Sequence, residues 1–281
     1  MAFKEKKEGF LFQVKTSKIV RLLLYPYMNY KRAAQRKEYA ETKDAEYIRS
    51  LKGTKRGKRC FIIGNGPSLT VDDLNKLKEE DTFAFNRIFY MFDKTDWRPT
   101  YYMCVDSGVL SLNMSEIEQL KLDNIILSYI AKNMIDMSKV KGERLHFLYD
   151  YSRFKVNRFA FDKPYISEDV SEHFCFCFTV TFDAIQLAMY MGYSEIYLIG
   201  VDHNYSVKAD SKGHIIKDNS VKDYFEGLEK TSITLMNYEA TTAAFRAARE
   251  YADKHGIKVY NATRGGKLEE FERVEFDSLF V

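Results

Sequence analysis

Cysteine is scarce in this chain: four among 281 residues, none in a Cys-x-x-Cys or Cys-x-x-Cys-His pattern. That excludes a disulfide scaffold and a zinc ribbon. Cys175 and Cys177, two apart in an alternating run, read as reduced strand residues of a cytosolic protein. No run of about 18 uncharged apolar residues occurs, so no segment is expected to cross a bilayer as a helix. The opening MAFKEKKEGFLF lacks an apolar h-region and a small-residue cleavage site, so no secretory signal is expected. The expected location is the cytoplasm, or the inner face of the plasma membrane as a peripheral protein. Asp-x-Asp, a common way to hold a divalent cation beside a nucleotide-sugar, is absent, so no metal and no cofactor are implied. Gly-x-Ser-x-Gly and Cys-His nucleophile arrangements are missing as well, and no internal repeat or low-complexity tract is visible. What is present fills a core: 46% hydrophobic residues against 30% charged ones, which excludes wholesale disorder.

The net charge of +3 conceals an asymmetry. Residues 1–58 carry 16 Lys or Arg against 6 Asp or Glu, and the remaining residues carry 27 against 34. A basic arm thus precedes a mildly acidic body. The body has no basic stripe with interleaved aromatics, so nucleic acid is not an expected partner. Residues 16–51 read as helix, broken near Pro26. Ile19, Val20, Leu22, Leu23, Leu24, Tyr25, Tyr27 and Met28 make an apolar block flanked by Lys15, Lys18, Arg21, Lys31, Arg32, Arg36 and Lys37. Residues 15–37 fit an anionic membrane surface, on which each basic residue adds about 1 kcal/mol, or else pack on the body or on a second subunit, the latter making a homo-oligomer. Gly53–Lys58 reads as a linker, giving an arm over 1–58 and a catalytic domain over 59–281.

The body alternates short apolar runs with helical patterns. Arg59–Ile63 is a candidate buried strand running into Gly64-Asn-Gly-Pro-Ser, followed by a helical pattern over 71–80. Thr82–Phe85, Tyr101–Val105, Ile125–Ile130 and Leu145–Leu148 are further candidate strands. Thr181–Met191 is helical and stops at Gly192, and Glu195–Ile199 is a strand ending in Gly200-Val-Asp202. A long Ala-rich helix over 238–255 leads to a last strand, Ile257–Tyr260. The alternation argues for an open α/β, Rossmann-like sheet, mostly parallel, with helices on both faces. Ligands of such sheets sit beyond the carboxyl ends of the strands, which puts Gly64–Ser68, Asn86, Asp106, Gly200–His203 and Asn261–Gly266 on one rim.

Gly64-Asn65-Gly66-Pro67-Ser68 lies between a strand and a helix, the context of a phosphate-binding turn. Its glycines allow close backbone approach, and Ser68 is able to cap the helix. A tight structural turn is the alternative. Asn261-Ala-Thr263-Arg-Gly265-Gly is a second such loop, a phosphate or ribose binder or a plain turn. Asp106 and Asp202 end strands, where a carboxylate can accept from ribose hydroxyls, hold a metal or act as a base. His203, next to Asp202, and His214, within the polar stretch 203–230, are candidate general bases for a flap that closes over the site. Tyr205, Tyr224 and Phe225 are candidates to stack on a base or sugar. His146, His173 and His255 read as structural.

Phe61-Ile-Ile-Gly-Asn-Gly-Pro-Ser-Leu, Phe85-Asn86-Arg87, Gly192-Tyr-Ser-Glu-Ile-Tyr-Leu-Ile-Gly-Val-Asp202 and Lys258-Val-Tyr-Asn-Ala-Thr together resemble two related groups. These are the Campylobacter-type bacterial sialyltransferases, which use CMP-sialic acid, and the 6-hydroxymethylpterin pyrophosphokinase MptE-like (DUF115) family, found also in surface-polysaccharide and flagellin glycosylation loci. The likeness spans roughly residues 59–275 and implies a GT-A-like variant of the Rossmann-like fold. It implies that Asn65, Gly66 and Ser68 contact nucleotide phosphates, that Asn86 faces nucleotide or sugar, and that Asp202 faces the nucleotide. Thr179-Val180 stands where the sialyltransferases carry Thr-Ser, and Asp106 where they carry asparagine. Their tyrosine pair has no match, and His214 stands for their flap histidine. These departures point to a donor other than CMP-sialic acid.

The expected function is a glycosyltransferase, inverting and metal-independent, that moves a sugar from a nucleotide-sugar to a surface-glycan or lipid-linked acceptor. On this expectation the arm docks at the membrane and is dispensable for activity on a soluble acceptor. The alternatives are diphosphate transfer from ATP to a pterin alcohol, with Mg²⁺ held by Asp106 and Asp202, and a non-catalytic nucleotide-sugar-binding subunit.

Overall fold

The computed structural model describes residues 17–139, 144–153, 155–157, 160–210, 213–228 and 236–280. Lys15 and the rest of residues 1–16 lie outside the described residues. Among the described residues eight strands form one sheet, all parallel: β1 (Arg59–Ile63), β2 (Thr82–Phe85), β3 (Tyr101–Cys104), β4 (Ile125–Ser128), β5 (Leu145–Leu148), β8 (Glu195–Ile199), β12 (Lys258–Asn261) and β13 (Glu272–Arg273), in the order β13-β12-β8-β1-β2-β3-β4-β5. β6 (Asp150–Tyr151) pairs with β7 (Phe174–Cys175) in a small second sheet. β9 (Val207–Ala209), β10 (Ile215–Lys217) and β11 (Met236–Asn237) form a third. The central strands are buried on both faces, which is why RCFII and TFAF read as continuous apolar runs rather than alternating ones.

One core lies between the sheet and the two long helices α6 (Val180–Met191) and α7 (Tyr238–His255). The other lies on the opposite face under α3 (Val71–Lys76), α4 (Ser107–Leu112), α5 (Met114–Gln119) and the carboxyl-terminal turn at Phe276–Phe280. Helices therefore cover both faces, as the alternation requires. The chain winds outward from β1 in both directions, so the order reverses between β1 and β8. The helices that follow these two neighbouring strands pack on opposite faces of the sheet, which is the arrangement such sheets use to form a ligand crevice.

The amino-terminal region differs from its expected form. α1 (Lys18–Ala40) runs unbroken through Pro26, and the chain breaks at Glu41–Thr42, before α2 (Lys43–Ser50). Proline removes the bond to the carbonyl four residues earlier. Here that carbonyl belongs to Leu22, and both residues sit on the exposed side of the helix, where an unbonded carbonyl costs little. Gly53–Lys58 is pinned rather than free: the Gly53 and Lys55 amides donate to Tyr190 and Met191 carbonyls (3.1 and 2.8 Å), and Lys55 pairs with Asp81 (2.9 Å). Tyr39, Ala45 and Ile48 are fully buried, and Tyr39 donates its hydroxyl to the Phe147 carbonyl (2.9 Å). The packing thus draws residues 39–51 into the sheet domain. Among the described residues no helix is long and apolar enough to cross a membrane.

Candidate functional site

The turn after β1 is built from two close backbone approaches. The Gly64 amide donates to the Ile199 carbonyl (2.8 Å) and the Gly66 amide to the Gly200 carbonyl (2.9 Å), so the ends of β1 and β8 lie against each other. A Cβ on Gly64 would stand 2.2 Å from the Gly200 oxygen, and one on Gly66 would stand 1.8 Å from the Asp202 carboxylate. Only glycine fits either position. Ser68 donates to Asp202 (2.7 Å), and Pro67 is exposed. Burial pushes the Asp202 carboxyl up, against the pull of the Ser68 hydroxyl.

Above this turn lies a cavity of about 530 Å³, inside the roughly 300–1,000 Å³ range of small-molecule sites. Of the expected residues, Gly64, Asn65, Gly66, Asn86, Asp106, Thr179, Gly200, Asp202 and His203 line it, as do Tyr205 and Tyr224. Asn65 is fixed by donating its amide to the Phe85 carbonyl (3.0 Å). Because that carbonyl only accepts, Oδ1 of Asn65 is the oxygen left over, buried and without a hydrogen-bond partner among the described residues. Oδ1 of Asn86 is in the same condition, and the Asn86 backbone is held left-handed (φ +50°) while its carbonyl accepts from the Tyr102 hydroxyl (2.5 Å). Unsatisfied buried acceptors cost about 1–3 kcal/mol each, so this wall favours a ligand that brings donors. Asp106 caps α4, accepting from the Gly108 and Val109 amides (2.7 and 3.1 Å). Thr179 caps α6, whose first turn also opens on the cavity and lends it partial positive charge.

Other expected residues stand elsewhere. Asn261, Thr263 and Gly265 do not line the cavity; their loop supports it from behind. Thr263 Oγ1 accepts from the Val201 amide (3.1 Å), Asn261 holds the Thr263 amide (3.0 Å), and the Lys267 amide donates to the Asp202 carbonyl (2.7 Å). Phe225 is a core residue whose amide donates to the Asn65 carbonyl (3.0 Å). His214 lies outside the cavity on the exposed β9–β10 hairpin, bonded through Nδ1 to Asp210 (2.7 Å).

His203 lines the cavity but is engaged. The Thr242 hydroxyl donates to the Tyr238 carbonyl (2.9 Å), so it accepts from His203 Nε2 (2.8 Å), and Nδ1 faces the Tyr205 hydroxyl at 3.5 Å. The ring stacks on Tyr238 with centroids 4.5 Å apart, and burial, with Lys208 nearby, pulls its pKa down to about 4. A neutral ring with both nitrogens facing hydroxyls positions Tyr205; it is a poor proton acceptor.

Residues not expected at the site complete the wall. Ser128 ends β4, Asp150 lies two residues past β5, and Arg32, expected only as part of the basic flank, and Gln35 come from α1. Asp150 obeys the same strand-end rule as Asp106 and Asp202 and was legible on that ground. Arg32 donates to the Ser152 carbonyl (2.6 Å), and Tyr149 donates to the Arg32 carbonyl (2.9 Å), so α1 is a side of the site. Among the described residues no three His, Cys, Asp or Glu side chains converge as a metal site.

The sequence matches the family described as 6-hydroxymethylpterin diphosphokinase MptE-like over residues 33–208. The chain belongs to the MptE-like family. The match takes in the last third of α1, α2, and β1 to β8. A search of curated proteins returns no match. Among solved structures, this MptE-like chain is similar to the MAf glycosyltransferase from Magnetospirillum magneticum AMB-1, at 16% identity and TM-score 0.49, over 86% of this chain and 39% of that one. It is also similar to the sialyltransferase CstII from Campylobacter jejuni, determined with the substrate analogue cytidine-5'-monophosphate, at 16% identity and TM-score 0.46, over 78% of this chain and 85% of that one. The MptE-like chain thus spans well under half the length of the MAf enzyme.

Proposed function

We propose that this protein is a nucleotide-sugar-dependent glycosyltransferase acting by inversion on a glycan or lipid-linked acceptor, with no metal needed for the transfer. The observation that carries the reading is the shared cavity at the β1–β8 crevice. One wall presents the Gly64–Gly66 backbone, the orphaned Asn65 and Asn86 oxygens and Asp202, which suits a nucleotide with amine and hydroxyl donors. The opposite wall, formed by Ser128, Asp150 and α1, leaves room for a second substrate. The first turn of α6 would stabilise the leaving phosphate by fixed dipoles.

The outer face of α1 supports a membrane-bound acceptor. Ile19, Leu22, Leu23, Tyr27 and Tyr30, spaced along one stripe, are 60–75% exposed, and Lys18 and Lys31 are exposed beside them. Such a helix suits the headgroup layer of an anionic leaflet. The arm is then both an anchor and a wall of the site, so removing residues 1–52 should cost activity on any acceptor.

The family description favours a second reading, diphosphate transfer from ATP, with Mg²⁺ bound by phosphates and by Asp106 or Asp202. A thermal-shift screen separates the two. ATP, CMP, UDP, GDP and their common sugar conjugates would be tested with and without Mg²⁺, each at about 100 times its Kd, where binding adds about 2.7 kcal/mol. Stabilisation by one nucleotide and its sugar conjugate without Mg²⁺ is the expected result. Stabilisation by ATP alone, and only with Mg²⁺, would replace the glycosyltransferase by the diphosphokinase.

A further inference from the structure

We propose that Asp150, seated on Ser128 at the cavity wall opposite the nucleotide turn, is the proton acceptor for the incoming hydroxyl in the sugar transfer proposed above. The inference rests on that reading for its chemistry and on separate geometry for its residue. Inversion needs a base on the face of the sugar away from the leaving phosphate, and neither expected histidine serves: His214 is outside the cavity and His203 is locked between hydroxyls.

Asp150 meets the requirements. It follows the end of β5 by two residues, is held in β6 against Phe174, and lines the cavity. One carboxylate oxygen is bonded by Ser128, while Oδ1 is buried with no hydrogen-bond partner among the described residues. An orphaned carboxylate oxygen at a cavity wall is an acceptor awaiting a hydroxyl. Burial raises the Asp150 carboxyl to about 7, and the Ser128 hydroxyl opposes that rise. A carboxyl in this range is both ionised enough to accept a proton near neutral pH and basic enough to take it.

Several groups surround it. Asp183, in the first turn of α6, is fully buried with its own Oδ1 orphaned, and burial together with the Asp150 charge holds it well above the usual carboxylate range. The pair thus disfavours two negative charges at once. Cys175 from β7, Tyr39 from α1 and Tyr149 after β5 also feel the Asp150 charge, and Arg32 lines the same cavity. In the step, the acceptor oxygen bonds to the anomeric carbon, the bond from that carbon to the phosphate oxygen breaks with its pair leaving on phosphate, and the acceptor proton passes to Asp150.

The test uses the full chain and the donor identified by binding, with water as the probe acceptor, followed as release of free nucleotide between about pH 5 and pH 9. Asp150→Asn should retain the nucleotide thermal shift and lose about 10²–10⁴-fold in kcat, together with the rising limb near pH 7. Ser128→Ala, which removes the bond that lowers Asp150, should move that limb to higher pH while leaving nucleotide binding intact. Wild-type kcat and limb in Asp150→Asn would overturn the assignment of Asp150 alone. A wild type that releases nucleotide from no donor would overturn the transferase reading instead. A ¹³C titration of the aspartate carboxyls needs no turnover: the resonance lost in Asp150→Asn should titrate near 7, and a midpoint in the ordinary carboxylate range would overturn the proposal.

Discussion

Gly66 shows how one missing side chain joins the turn to the strand-end carboxylate. A methyl there would meet the Asp202 carboxylate at 1.8 Å and the Gly200 oxygen at 2.7 Å. Asp202 would have to leave Ser68, and its buried carboxylate would lose its bonded neighbour. Gly66→Ala is therefore expected to destabilise the fold by about 1–3 kcal/mol, the usual cost of overpacking, and to abolish the nucleotide-induced thermal shift. Urea denaturation and the ligand screen together check this; a variant that still responds to nucleotide would detach Gly66 from the site. The Gly-Asn-Gly-Pro-Ser pattern was legible because a strand, a tight turn and a helix cap leave a signature in local composition. The locked state of His203 was not, because Thr242, Tyr238 and Phe245 come from a helix some 40 residues later in the chain.

At the scale of elements, α1 has two working faces. Its inner side is tied down by Arg21 to the Lys155 and Val156 carbonyls, by Arg32 to Ser152 and by Arg36 to Glu172 (2.7 Å). Part of the basic charge that suggested a membrane partner is thus spent on the protein itself. The apolar stripe at residues 19, 22, 23, 27 and 30 remains outside. Replacing Ile19, Leu22 and Leu23 by Gln should lower recovery on anionic vesicles several-fold with little change in Tm, because these side chains contribute nothing to the core. Unchanged cosedimentation would show that the stripe serves another contact. A sequence window reveals that α1 is amphipathic, but both of its faces contain apolar and basic residues, so the window does not reveal which one the body takes.

Buried groups pull the pH dependence of the whole molecule in both directions. Burial holds His203 and His173 neutral, each with a pKa pulled down to about 4, Arg36 adding to the effect at His173. The folded state then binds fewer protons than the unfolded chain between about pH 4 and 6.5. The stability that each neutral ring contributes is complete above about pH 6.5. It is lost as the pH falls toward 4, by at most about 1.4 kcal/mol for each ring and each pH unit crossed. Asp150 acts in the opposite sense: its raised carboxyl favours folding below about pH 4, and that benefit is lost as pH rises to about 7. His173→Gln lies outside the cavity lining and should raise stability at about pH 5 relative to about pH 7, compared with the wild type, in urea denaturation. A difference between the two pH values equal to that of the wild type would remove His173 from the account.

The sequence by itself determined the class of fold and the position of the rim. Buried parallel strands must be apolar throughout, and each must end in a turn whose glycine, asparagine or aspartate is visible locally; β1, β2, β5 and β8 follow from that constraint. It also determined which residues of the β1, β2 and β8 ends line the cavity, since Asn65, Asn86 and Asp202 all follow strand ends. Tertiary structure alone decided which strand-end residues face the cavity. The Asn261–Gly266 loop obeys the same local rule as Gly64–Ser68, yet it lies behind the site because β12 is one strand further from the reversal in strand order. It also decided that α1 lines the cavity, that His214 stands outside it, and that Asp150 reaches it with one carboxylate oxygen unpartnered among the described residues. Those outcomes depend on which distant segments bury which groups, and burial is a property of the packed molecule rather than of any stretch of chain.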